Sequence, residues 1–442
     1  MTWIAPLGIL LSIILIIYLA TKGYSILIIG PLCSVLVILT NQMDLFSALI
    51  TGDNSYMVGL AKFIANFFVV FLLGSVLARY IEASGAAKSI AAFVLKIIGT
   101  ESPYSMLVSL FLVCSLLTFG GVSLFVVIFA IIPLARPLFK QMNISWSLIA
   151  IPIEMGILTF TMTMLPGSPS IQNVIPTTTL GTTLTAAPLL GIVGTVVMIA
   201  FGLWYMKREL QKSLQRGEVY DSQDEADTTV ASVSGEDRLP PIGASITPIL
   251  LIITIIFIGS FFKVQNIIVI ALAISILFSA LTLGRYTKSQ KEVINEGAQG
   301  AISPIFFTAA AVGFGTVVTA APGFKVMSDF ILQIPGNPLI SLAVVTSLTS
   351  IITGSASGSL GIIMPSFANV YLDMGIHPDV LHRIATMASG PLSLLPHSGV
   401  VLTFLALTGL NHKNTYKYIF VSTVVGSLLA LLAALALALI LY

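Results

Sequence analysis

Charge, cysteine and histidine are all scarce in this 442-residue chain. Asp, Glu, Lys and Arg together make up 9% of it, against ~25% in an ordinary soluble domain, while 57% is hydrophobic where ~45–50% is usual. With a mean hydropathy of +1.03, a soluble globular fold is excluded and an integral membrane protein is expected. The two cysteines, Cys33 and Cys114, each lie inside an apolar stretch, so neither a disulfide framework nor a thiolate metal site is suggested, and no metal is expected. Lys plus Arg exceeds Asp plus Glu only as 20 to 18, and the excess is dispersed, which excludes nucleic acid as an implied partner. There is no H-E-x-x-H motif. Gly354-Ser-Ala-Ser-Gly358 puts Ala356 where a nucleophile elbow needs its serine. An enzyme is therefore not expected, nor a cofactor. Strand-like alternation is missing too, which argues against a barrel. The first apolar stretch has no basic residue before it and no small-residue cleavage site, so it reads as a retained helix.

What is abundant is apolar sequence in runs of membrane length, such as 4–20, 24–40, 245–262 and 266–283; spanning as a helix takes about 20 residues. The longest polar segment begins at Met206 with Lys207, Arg208, Lys212 and Arg216 and turns acidic and Ser/Thr-rich through Asp237. It has the composition of a solvated linker. Residues 1–205 and 242–442 then form two halves on either side of a linker at 206–241.

The halves echo each other. Gly74, Gly85, Gly99, Thr118 and Leu165-Pro166 find counterparts, in the same order, in Gly313, Gly323, Gly336, Thr353 and Leu395-Pro396. The loop from Asn41 to Tyr56 has no Lys or Arg, yet its counterpart carries Arg285, Lys288 and Lys291; Arg136 and Lys140 follow the Thr118 region, whereas Asp373 and Asp379 follow the Thr353 region. By the positive-inside rule, corresponding loops sit on opposite faces. The sequence thus predicts an all-α polytopic membrane protein of two inverted-topology repeats, with about ten membrane-crossing helices and two re-entrant hairpins. Threading places the N-terminus outside and the linker in the cytoplasm of a multi-pass protein of the cell membrane.

Four interruptions fall near one depth in this threading: hairpin tips at Thr118–Ser123 and Thr353–Ser359, and helix breaks at Leu165–Ser170 and Leu395–Gly399. Polar backbone survives at membrane depth only where protein buries it or a wet cavity borders it. Helix N-termini freed there attract anions, hydroxyls add donors, and carbonyls could take Na⁺. Candidate substrate ligands are Ser355, Ser357 and Ser359 with His397 and Ser398, and Thr118, Gly121 and Ser123 facing Ser168 and Ser170. Intramembrane ionisable residues are functional candidates by default. His397 and Glu154 are the candidates for ion coupling, although Glu154 starts close enough to the inner face to read as solvated. Arg383, His382 and Lys325 read as interfacial.

The residues Gly354-Ser-Ala-Ser-Gly-Ser-Leu-Gly361, Arg383-Ile-Ala-Thr-Met-Ala-Ser-Gly390, Leu395-Pro-His-Ser-Gly399 and Gly409-Leu-Asn-His-Lys-Asn-Thr-Tyr416 resemble the gluconate permease family of organic-anion symporters over essentially the full length. The resemblance implies membership of a wider ion transporter superfamily with inverted repeats, a homodimer in the lipid bilayer, an elevator motion and coupling to H⁺, although this chain lacks the acidic and imidazole groups usual for that, which leaves Na⁺ held by carbonyls and hydroxyls as the alternative. The first half departs from the gluconate branch. Where those members carry a Phe-Glu pair and histidines, this chain has Phe119-Gly120, Met162 and Ser168. Fewer charged groups suit a small, less hydroxylated carboxylate, a short hydroxy- or keto-monocarboxylate as in the 3-hydroxybutyrate branch. A gluconate-like sugar acid is the alternative substrate, and a passive anion channel the alternative class.

Overall fold

The computed structural model describes residues 4–22, 24–98, 102–122, 124–220, 239–262, 264–326, 337–396 and 398–442. Among them every regular element is helical. Six helices are long and apolar enough to cross a membrane (47–83, 146–163, 188–215, 242–261, 290–320 and 412–441), and shorter apolar helices lie between them. Large apolar side chains such as Leu39, Phe261, Leu281 and Ile440 point outward, a surface that water would not tolerate over such an area and lipid does. The protein is an all-α polytopic membrane protein.

Local sequence sets the helix starts. Ser102 caps the Pro103–Phe119 helix with a reciprocal bond to Ser105, and proline at the first helical position costs no hydrogen bond there. Asn337 before Pro338 and His377 before Pro378 repeat the device. Apart from Ala86–Ile98, the helices before and after the polar segment follow a similar order. Ile4–Thr21 and Ile26–Thr40 correspond to Ile242–Phe261 and Ile267–Thr282; Tyr56–Ala83 corresponds to the near-continuous pair Gln290–Gly300 and Ile302–Ala320. Pro103–Phe119 and Leu124–Met142 correspond to Pro338–Thr353 and Ala356–Asp373. An interrupted segment follows in each half, made of Trp146–Thr163 with Ile171–Leu180, and of Pro378–Leu394 with Gly399–Thr408. Each half closes on a long helix, Pro188–Gln215 or His412–Leu441.

The halves interlock. Tyr56–Ala83 packs along Ile302–Ala320 at two glycines that leave no room for a side chain: a Cβ on Gly59 would sit 2.1 Å from Thr316 Oγ1, and one on Gly313 would sit 2.8 Å from the Tyr56 carbonyl. The short helices after the breaks change sides. Ile171–Leu180 lies on Ala356–Asp373 and Pro378–Ser389, while Gly399–Thr408 lies on Leu124–Met142.

Two features differ from the sequence reading. Amphipathic helices at Ala86–Ile98 and Gln290–Gly300 occupy stretches read as connections. Pro188–Gln215 also runs well into the polar segment, because one face of that extension finds partners: Glu209 and Ser213 are buried, and Ser213 donates to Glu218 at 2.8 Å. The acidic remainder, 221–238, lies outside the described residues.

Candidate functional site

The first break is built by hydroxyls that take over carbonyls the helix has released. The backbone leaves helical geometry at Thr159 (φ −112°, ψ −113°). Thr159 Oγ1 donates to the Met155 carbonyl at 2.6 Å and Thr161 Oγ1 to that of Gly156 at 2.9 Å. Ser168 then donates to the Thr161 carbonyl at 2.6 Å, and Ser170 to that of Met162. Ser170 also caps the next helix, accepting from the Asn173 amide at 3.3 Å. Both candidate serines therefore have their protons engaged on the broken helix, which fixes its shape.

Two residues of the other half complete this break. Arg383 is fully buried, and its guanidinium donates from Nε to the Ala186 carbonyl (3.0 Å), from Nη1 to Met164 (3.3 Å) and from Nη2 to Leu184 (3.2 Å). His382, equally buried, holds Asn173 Oδ1 at 3.0 Å through Nε2 and Thr182 Oγ1 at 2.7 Å through Nδ1. Asn173 in turn donates to the carbonyls of Ser168 and Leu184, both at 2.8 Å. The interfacial reading of Arg383 and His382 is overturned. Their helix begins near the chain surface, but its inner face meets a loop whose carbonyls lie outside regular helix and call for a strong donor set. Lys325 is exposed.

At the first turn, Gly120 caps Pro103–Phe119 and Gly121 takes a positive φ of 83°. A Cβ on Gly121 would touch Pro169 at 3.6 Å, so the turn and the break of this half are neighbours. Thr118, one turn back, is buried and its hydroxyl has no hydrogen-bond partner among the described residues. Ser123 lies outside the described residues.

In the second turn, Gly354 adopts φ 58° and Ser355 caps Ala356–Asp373, accepting from the Gly358 amide at 3.2 Å. Ser355 and Ser357 share a bond of 3.2 Å between hydroxyls. Ser359 instead points into the packing and donates to the Thr346 carbonyl at 2.9 Å. Ser398 reaches back to the Gly354 carbonyl at 3.4 Å, which brings turn and break together here too. His397 lies outside the described residues. The carbonyls of this break are held by His412, at 3.0 Å from Pro396 O, and Tyr416, donating to Leu394 O at 3.2 Å. Gly181 and Gly409 end the two short helices in the left-handed conformation, at φ 64° and 73°.

Glu154 is fully buried, and neither carboxyl oxygen has a hydrogen-bond partner among the described residues. The solvated reading fails because the helices around Ala150–Leu158 close over it on every side.

Asn173, Thr182 and the carbonyl ring around Arg383 were not legible as a site. An Asn-x-x-Pro inside an apolar stretch carries no motif, and backbone acceptors leave no trace in composition. The arrangement pairs capped helix N-termini and hydroxyls with a buried guanidinium whose Nε and two Nη groups all point at carbonyls of the break. Among the described residues no group of three or more His, Cys, Asp or Glu side chains could hold a metal ion.

Comparison with known proteins agrees in kind. The family model of the GntP family permease matches residues 2–440. The chain is also 34% identical, over 459 aligned residues covering 94% of it and 95% of the relative, to the uncharacterized transporter YxjC of Bacillus subtilis.

Proposed function

The chain belongs to the GntP permease family, and from that premise we propose that it is a secondary-active symporter importing a small organic anion, a short hydroxy- or keto-monocarboxylate such as 3-hydroxybutyrate. The observation that carries this reading is the pairing, in each half, of a glycine turn with a helix break: Gly121 against Pro169 and Ser398 against Gly354. In this proposal the two helix pairs that meet at those turns are re-entrant hairpins, the halves are inverted repeats, and the carboxylate is held between the two turns and the two breaks.

Among the described residues, the Ser355–Ser357 hydroxyl pair and the unpartnered Thr118 hydroxyl are the donors that would bind a carboxylate. Ser168, Ser170 and Ser359, committed to carbonyls, shape the site around it. The substrate class follows from what surrounds the turns. With glycine at position 120 and methionine at 162, few polar groups stand ready to recognise the hydroxyls of a sugar acid. Sites built to hydrogen-bond hydroxyls discriminate strongly, whereas apolar ones do not. Coupling to a proton or Na⁺ gradient, residence in the cell membrane with the 206–241 linker in the cytoplasm, and a homodimer complete the proposal.

Uptake of radiolabelled 3-hydroxybutyrate into proteoliposomes tests it. Accumulation above the external concentration, abolished when the ion gradient is collapsed, is the expected result. Equilibration without accumulation would establish a channel instead.

A further inference from the structure

Glu154 is the buried acidic group whose surroundings leave its charge unanswered. Its carboxyl lies on Ala150–Leu158, with no exposure and, among the described residues, no donor on either oxygen. That helix packs on Pro103–Phe119 so closely that a Cβ on Gly156 would sit 2.6 Å from Cys114 Cβ, and the Cys114 thiol is within electrostatic reach of Glu154. Cys114 is one helical turn before Thr118, or ~6 Å of rise. Glu154 therefore sits near the level of Cys114, about two turns beneath the first glycine turn.

Charged groups on the other elements packed around it are engaged elsewhere. On Leu124–Met142, Arg136 donates to the Thr408 carbonyl at 3.0 Å, and Lys140 is exposed. On Pro188–Gln215, Glu209 pairs with Lys212 at 3.0 Å, while Lys207 and Arg208 lie over the rings of Tyr104 and Trp204. On the His412–Ile419 helix, His412 bonds Pro396, Lys417 lies over Tyr418, and Lys413 is exposed. Buried carboxylates persist as ions only when paired and hydrogen-bonded. Here a cation must accompany the group.

Building on the symport reading above, we propose that Glu154 is the proton-carrying residue of the transport cycle, binding one proton beneath the first turn. Its connection to the site is the row of hydroxyls that starts at the next turn of its own helix: Thr159 on Met155, Thr161 on Gly156, Ser168 on Thr161. An ionised Glu154, an acceptor only, would compete with those carbonyls for the hydroxyl protons and loosen the break. The protonated acid leaves the break intact.

The test uses the full chain in sodium-free proteoliposomes. Glu154→Gln, a mimic of the protonated acid, is expected to lower accumulation driven by a pH gradient at least tenfold while radiolabelled exchange at equal pH continues. Glu154→Asp keeps the carboxyl and is expected to retain driven accumulation with a displaced pH profile. Undiminished driven accumulation in Glu154→Gln overturns the proposal, as does an unmoved profile in Glu154→Asp or, should the Gln variant not fold, accumulation by the parent chain that follows Na⁺ at clamped pH. Absence of both exchange and accumulation in the parent chain would instead count against the transport reading itself.

Discussion

His382 Nε2 lies 3.0 Å from Asn173 Oδ1, and this one contact fixes the protons of a buried network. The Asn173 amide nitrogen gives its two hydrogens to the carbonyls of Ser168 and Leu184, so its oxygen can only accept. His382 must then donate from Nε2, which leaves Nδ1 to accept from the Thr182 hydroxyl. A neutral ring satisfies every member. The second half thereby reads the first half's break through a single tautomer.

Replacing Asn173 by Leu should be costly for that reason. The Ser168 carbonyl and the imidazole N–H lose their partners together, at about 1–3 kcal/mol for each group left unsatisfied, while the Leu184 carbonyl keeps Arg383 and the Gly167 amide. Thermal unfolding in detergent is expected several degrees below the parent protein, with uptake lost; an unchanged unfolding midpoint would show that the network carries no stability.

Arg383 makes the stronger claim on geometry. Three carbonyls from 164 to 186 converge on its planar fork, which one ammonium cannot match. Arg383→Lys is therefore expected to lose at least tenfold in uptake although the charge is kept. Full activity in the lysine variant would reduce Arg383 to a counter-charge.

At the second turn, Ser357 is half-buried and its hydroxyl meets that of Ser355. Ser357→Leu should abolish transport and leave the protein folded in the membrane, as judged by its elution from a sizing column. Unaffected uptake would remove the turn from the binding site.

Substrate class is decided by competition. Unlabelled 3-hydroxybutyrate should inhibit uptake while gluconate at equal concentration leaves it within about twofold, a gap of less than ~0.5 kcal/mol in the rate. The reverse ranking would return the protein to the sugar-acid branch of its family.

Orientation has its own check. Cysteines introduced at Leu45 and Lys288, in corresponding loops of the two halves, are expected to react with an impermeant reagent from opposite faces. Labelling from one face would end the inverted-repeat proposal.

Much of the helix plan was legible because membrane-length apolar runs and Gly-Pro interruptions are local signals. Among the described residues, helices end and restart at or beside the stretches flagged at 118–123, 165–170, 353–359 and 395–399. What composition could not convey is which surface a charged residue meets. Arg383 and His382 follow Pro378 closely enough to resemble interface anchors, and their hydrogen-bond partners lie some 200 residues away in sequence. Glu154 was misjudged by the same logic, since distance from a helix end measures depth along one helix and says nothing about how many others enclose it. The helices at Ala86–Ile98 and Gln290–Gly300 escaped because an amphipathic face scores poorly against a search for uniformly apolar runs.

The exchange of short helices between the halves bears on how the chain is made. Ile171–Leu180 rests on Ala356–Asp373 and Pro378–Ser389, segments that do not exist until the ribosome has nearly finished. During synthesis the first half must wait with its break uncapped by Arg383 and its Asn173 carbonyl partners without the His382 bond that orients them. Only when Gly399–Thr408 settles onto Leu124–Met142 is the debt returned in the other direction. Maturation of this protein is a late, mutual event, and a chain cut short anywhere before that exchange leaves both breaks unfinished.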